Sequence, residues 1–278
     1  MNRPDNIHKQ RAWLTGKGRN SRVFLVVLLL PILAGACRKA ASEAEDRGTG
    51  RPAAEAIAEA DQLYTGRSDL TRVRQALVAL RQSQADDPTN YELAWRLAKF
   101  NYYLGAHSSE STEKEKSFHD GITAGKLAVR LQDGKPDGHF WLGANYGGNA
   151  KLSVLAGLSD FEDIRQEMET VLKLDQGYQS GSAYMALGQL YLEAPRVLGG
   201  DSQKAVEYLE KGALIGPNNA LLRWHLAAAY AQLHRNDDAR KQIDYLLAMK
   251  PAPGYEPEYE EAVTEVRKLQ EKLKQENR

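Results

Sequence analysis

"PNNALLRWHLAAAYAQLHRNDDARKQIDYLLAMKP", residues 217–251, decides the fold. Pro217 and Pro251 stand 34 residues apart, a period that fits one pair of antiparallel helices with its turns. Ala227 and Ala239 are small enough to let two helices approach, while Leu226, Tyr230 and Ile243 fill the seam between them. Pro251 cannot continue a helix, so it ends the unit. The pattern predicts one helix over about 219–233 and a second over about 237–249, with Asn236 as N-cap of the second and Asp237 and Asp238 at its positive end.

The same frame fits upstream. Leu187, Gly188 and Tyr191, then Ala205, Leu209 and Gly212, occupy the equivalent places before Pro217, with five extra residues in "APRVLGGD" (194–201). There Asp201 is placed to cap the next helix. Leu142, Gly143 and Tyr146 in "HFWLGANYGG" (139–148) mark an earlier unit, and Leu97 and Ala98 in "PTNYELAWRLAKFNYYLG" (88–105) one before that. Ala76, Leu80 and Ser83 mark a first, weaker unit. An amphipathic charged helix near 256–274 is placed to cap the open end.

The second helices end near Pro88, Asp133, Gln176, Pro217 and Pro251, at spacings of 45, 43, 41 and 34, so the early repeats are swollen. Two stretches carry the excess. "HSSESTEKEK" (107–116) is polar and reads as a solvated loop. "NAKLSVLAGLSD" (149–160) carries Leu152, Val154, Leu155 and Leu158 and is too apolar to be left in water. It is either a lengthened helix tucked against the stack or a lid over a pocket. These features resemble tetratricopeptide repeats. The expectation is an all-α, tetratricopeptide-like helical-hairpin solenoid over residues 54–278, with enlarged early repeats and a C-terminal capping helix.

The chain of 278 residues balances 37 basic against 37 acidic side chains, which gives no overall field for nucleic acid. The first 36 residues hold six of the basic groups and one acidic group, followed by the apolar run "VFLVVLLLPILAGA" (23–36). That run is short for a membrane span and ends in small residues, as a secretory signal does. Cleavage before Cys37, the one cysteine in the sequence, leaves its thiol at the mature terminus. The site resembles a bacterial lipobox, with Ala34 where the family prefers leucine, and equally an ordinary A-x-A peptidase site. Lipidated Cys37 would anchor the protein to the membrane; the alternative is a soluble periplasmic form. Arg38 after the cysteine favours the outer membrane. Residues 37–53 lack apolar periodicity and read as a flexible tether.

The concave face of such a solenoid is lined by fixed positions of each first helix. Those positions select Trp95, Lys99, Tyr102, Phe140, Met185 and Trp224, and Trp141, Asn145 and Tyr146 of the third unit join them as candidates for ligand or partner binding. The lining is aromatic and apolar, which suits an apolar ligand or a partner helix. Lys99, between Trp95 and Tyr102, can take an anionic group or snorkel as a surface lysine. The aromatic positions read equally well as seam fillers.

Catalysis has little to stand on. His107, His119, His139 and His225 show no HExxH or other metal-ligand spacing, "HRNDDAR" lacks the downstream ligands of a calcium loop, and "VLGGDSQ" lacks the lysine of a phosphate loop. No cofactor, metal or nucleic acid is expected, and the protein reads as a binder rather than an enzyme.

"DGHFWLGANYGG" (137–148) and "APRVLGGDSQKAVEYLEKG" (194–212), with the lipoprotein signal, resemble the T-component lipoproteins of TRAP transporters. The resemblance implies a periplasmic, membrane-tethered scaffold, a homo-oligomer (a trimer), that works with a solute-binding protein on an apolar or organic-acid ligand. A general envelope-assembly scaffold docking an envelope protein is the alternative. A more distant similarity is to the regulator of microtubule dynamics proteins, which share the long middle repeats, although an export signal argues against that cellular role.

Overall fold

The computed structural model describes residues 51–275, apart from the side chains of residues 154–159. The expected signal segment, Cys37 and the tether up to residue 50 lie outside the described residues. Those residues form eleven α-helices and a 3-10 turn, with no strand. In chain order they are α1 (Ala53–Tyr64), α2 (Leu70–Asp86), α3 (Tyr91–His107), α4 (Ser111–Leu131), α5 (Pro136–Ala150), α6 (Val154–Leu174), α7 (Ser182–Glu193), the 3-10 turn Arg196–Leu198, α8 (Ser202–Ile215), α9 (Ala220–Gln232), α10 (Asn236–Ala248) and α11 (Glu256–Gln275).

Local chemistry sets several boundaries. The side chains of Asp69, Asn90, Asp201 and Asn219 accept hydrogen bonds from the first free backbone N–H groups of α2, α3, α8 and α9. Pro136 opens α5, where a missing N–H costs nothing. At α10 the expectation fails: Arg235 holds the N-cap position without a side-chain bond, and Asn236 lies inside the helix with its Oδ1 buried and unpartnered. Arg235 is instead drawn towards Asp238 at 3.0 Å and over the Tyr230 ring, and this shifts the start by one residue.

Each helix packs on its neighbour in sequence, and α3 on α5, α7 on α9 and α9 on α11 also pack directly, as in a stack of hairpins. The seam residues read from the repeat frame lie inside: Leu142, Leu187, Tyr191, Ala205, Leu226, Ala227, Tyr230 and Ala239 are all buried. Gly143 and Gly188 are buried as well, and a methyl group on either would reach within 3 Å of Met168 or Leu209. Three large apolar clusters run along the stack, the first around Leu77, Leu80, Leu93 and Phe100, the second around Trp141, Met168 and Leu187, the third around Leu209, Leu226 and Ile243, with a small fourth of Tyr91, Ala94 and Ala128.

The polar stretch 107–116 is not a loop. α3 runs to His107, only Ser108–Glu110 connect, and α4 begins at Ser111, so the early repeats are enlarged by longer helices. Ser108 holds the turn: its hydroxyl accepts from the Glu110 N–H at 3.1 Å and donates to Glu113 at 2.5 Å. Arg74 of α2 then grips Glu113 with a two-pronged bond at 2.7 and 2.8 Å, which holds that carboxyl down at about 2. Residues 149–160 likewise become the end of α5, a three-residue link and the start of the 21-residue α6. Leu152 is partly exposed on the link, whereas the side chains of Val154, Leu155 and Leu158 lie outside the description.

Candidate functional site: the inner face

The stack curls until its two ends meet. Arg67, in the turn after α1, donates through Nε to Glu258 at 3.1 Å, through Nη2 to the same carboxylate, and through Nη2 to the Gly254 carbonyl at 2.7 Å. These partners lie 191 and 187 residues further along the chain, at the entry to α11. The Arg67 guanidinium also lies over the rings of Tyr64 and Tyr103, at 5.2 and 5.8 Å. Its side chain is 6% exposed, so the first hairpin and the last helix share a contact that is buried on the arginine side and open to water at the carboxylate. A second, looser link joins His107 at the end of α3 to Glu261 of α11 at 4.0 Å.

Side chains of α3 lie close to this clasp, near enough for the charges of Arg67 and Glu258 to act on Lys99. Lys99 of α3 lies over the Tyr64 ring at 4.6 Å and the Trp141 ring at 5.7 Å. Tyr102, one turn on, approaches Trp141 at 5.8 Å and Phe118 at 6.3 Å. Enclosure by protein pushes the Lys99 ammonium below its ordinary pKa, and burial lifts the Tyr102 phenol to about 12. On the opposing wall, burial raises Glu261, and the like charges of Glu258 and Glu265 add to the effect. Lys151, after α5, pairs with Glu193 at the end of α7 at 3.1 Å. Nearby, Trp224 stacks on His225 at 4.3 Å, and desolvation drops that imidazole to about 4, so it is neutral.

The expected groove residues therefore divide. Trp95, Lys99, Tyr102, Met185 and Trp224 are half-buried. Trp95 is fixed by its indole N–H donating to Glu92 at 2.8 Å and by Arg96 stacking 4.2 Å above its ring. Phe140, Asn145 and Tyr146 are buried at seam positions. Phe140 is buried against Trp141 and Tyr178. Asn145 donates to the carbonyls of Ala98 and Trp141 at 3.0 and 2.6 Å and stitches α3 to α5. Tyr146 is turned towards α4, where Lys126 lies over its ring at 5.7 Å. Trp141 stands at the boundary: 6% exposed, it floors the face beside Lys99, and its Nε1 has no acceptor. Sequence reasoning missed Tyr64, Arg67, Tyr103 and Glu258, because their role depends on how far the stack curls. The one local hint was a lone arginine in the polar turn "TGRSD" (65–69).

His139 also has a structural place. Its Nδ1 lies 2.6 Å from Glu167 and its Nε2 2.8 Å from the Asp133 carbonyl, joining α5 to α6. Among the described residues no group of three or more His, Cys, Asp or Glu side chains is placed to hold a metal ion, and no helix is long and apolar enough to cross a membrane.

Residues 56–194 match the family described as RMD1-3, regulator of microtubule dynamics protein 1-3. No curated protein matches the chain. Among solved structures, the tetratricopeptide-repeat protein TTC0263 of Thermus thermophilus superposes with a TM-score of 0.57 at 19% identity, over 76% of this chain and 99% of that one. PilF of Pseudomonas aeruginosa superposes with a TM-score of 0.51 at 16% identity, over 78% of this chain and 90% of its own. At these identities the likeness establishes the fold: a tetratricopeptide-like helical-hairpin solenoid.

Proposed function

The chain belongs to the RMD1-3 family of regulator of microtubule dynamics proteins, and from that premise we propose that it is a helical-repeat docking protein whose inner face receives a partner. The observation that carries the reading is the pairing of half-buried aromatic side chains, Trp95, Tyr102 and Trp224, with a clasp of Arg67 on Glu258 that fixes the width of the face. Partly exposed aromatic side chains held by neighbours are what a docking surface uses as anchors. The chain catalyses nothing in this reading. It works outside the cytoplasm, because the signal-like run 23–36 directs export, and Cys37 carries the lipid that tethers it, with residues 38–53 as spacer. Export removes it from a cytoskeletal partner, so it shares the family's scaffold and meets a different protein.

A photo-crosslinking amino acid placed at Trp95 or Trp224, against one placed at the outward Val78, tests this in intact cells. The inner positions should give a discrete cross-linked protein and the outer one none; equal yields from both faces refute the reading.

The finer reading is an accessory subunit of a TRAP-type transporter that works as a homo-oligomer with a solute-binding protein. The combination of apolar lining and Lys99 favours it, since such a surface suits an apolar or organic-acid cargo. A cross-linked solute-binding protein supports it, and a cross-linked envelope-assembly protein replaces it with the envelope-scaffold alternative.

A further inference from the structure

We propose that Lys99 anchors the carboxylate of an apolar acid, bound with its stem along Tyr64, Tyr102 and Trp141. The proposal rests on the inner face being the binding face, and it names the chemistry that face accepts.

Lys99 is an unpaired cation among paired ones. Around Lys99 the other cations are committed: Arg67 to Glu258 and the Gly254 carbonyl, Arg96 to both oxygens of Asp61 at 3.0 Å and to Glu92 at 2.8 Å. Those three carboxylates are committed by the same bonds. Among the described residues Lys99 has no ion pair and no hydrogen bond, only the faces of Tyr64 and Trp141. An ammonium held on aromatic faces inside an enclosed surface has lost water and gained partial compensation. Lys99 is the cation of this cluster that has no carboxylate of its own.

A second observation is independent of charge. The Trp141 indole N–H is buried without an acceptor, on the same ring that Lys99 covers. Buried donors are rarely left unmade, and each one needs an explanation. A carboxylate supplies two acceptor oxygens, one for the Lys99 ammonium and one for the Trp141 N–H. Moving the flexible lysine head from the ring to the carboxylate leaves the ring face for an apolar stem. Burial holds the Lys99 pKa down, and an anion beside it would raise it again.

The test uses the full-length protein in lipid nanodiscs, with hexanoate as probe, 1-hexanol as the uncharged control, and tryptophan fluorescence as readout. Hexanoate should bind saturably, and Lys99→Met, which keeps the apolar stem, should weaken it about tenfold or more. Hexanol should bind more weakly than hexanoate and be indifferent to the substitution. Lys99→Met should melt with the wild type, because no pair is broken; Lys99→Gln repeats the measurement if it does not. Equal hexanoate affinity in wild type and either folded variant overturns the proposal, as does hexanol binding as tightly as hexanoate. Absence of saturable hexanoate binding overturns the carboxylate site even where the inner-face cross-links persist. Lysine-dependent hexanoate binding without those cross-links supports the site and refutes protein docking instead.

Discussion

Replacing Arg67 with alanine should open the closed end of the stack. The substitution removes three hydrogen bonds to Glu258 and the Gly254 carbonyl and two ring contacts, and leaves Glu258 facing Glu261 without its counter-charge. Breaking a fully buried ion pair from one side costs about 3–5 kcal/mol. Glu258 is 26% exposed, so water recovers part of that loss, and the expected cost is about 2–3 kcal/mol. In a chain of this size that is a fall of about 5–10 °C in melting temperature. Because the contact joins residues 191 positions apart, its loss should be read at α11 as well as globally. Hydrogen exchange in the first turns of α11 and in the turn after α1 should accelerate, while amides of α5 and α6 keep their protection. A double-mutant cycle with Glu258→Gln should return a coupling above about 1 kcal/mol. A loss below about 0.5 kcal/mol with unchanged exchange in α11 would refute the clasp as the element that closes the stack.

The two buried histidines should give opposite pH dependences. Desolvation pulls His139 down, but the bonds to Glu167 and the Asp133 carbonyl outweigh it, and its folded pKa is raised. Its contribution should be complete below the unfolded value of about 6.5 and vanish as pH rises through the folded pKa, so wild type and His139→Gln converge in melting temperature on the alkaline side. His225 is depressed to about 4 by burial, so its stabilisation is complete above about 6.5 and lost on acidification towards 4. That loss is at most about 3 kcal/mol, and His225→Phe should remove most of it in melts from about pH 7 to 4. Gly125→Ala should cost about 1–3 kcal/mol, since its methyl would stand 2.9 Å from the Leu142 backbone where α4 crosses α5. Gly134→Ala, with nothing within 4 Å, should leave the unfolding midpoint unchanged.

The sequence by itself determined the hairpins. Prolines, the capping side chain of Asp201, and small residues such as Ala227 and Ala239 at fixed intervals act within one or two turns, so their spacing is visible in the chain. The sequence also placed aromatic residues on the first helix of each repeat, but not which of them face inward. A helical period sorts residues by direction, and whether a direction meets a neighbour or open space depends on the packing of adjacent hairpins. Tertiary structure alone sent Phe140, Asn145 and Tyr146 into the seam, lengthened α4 into the stretch read as a loop, and brought Arg67 to Glu258. That last contact is the sum of small rotations accumulated along the whole stack, and no local interval in the sequence encodes such a sum.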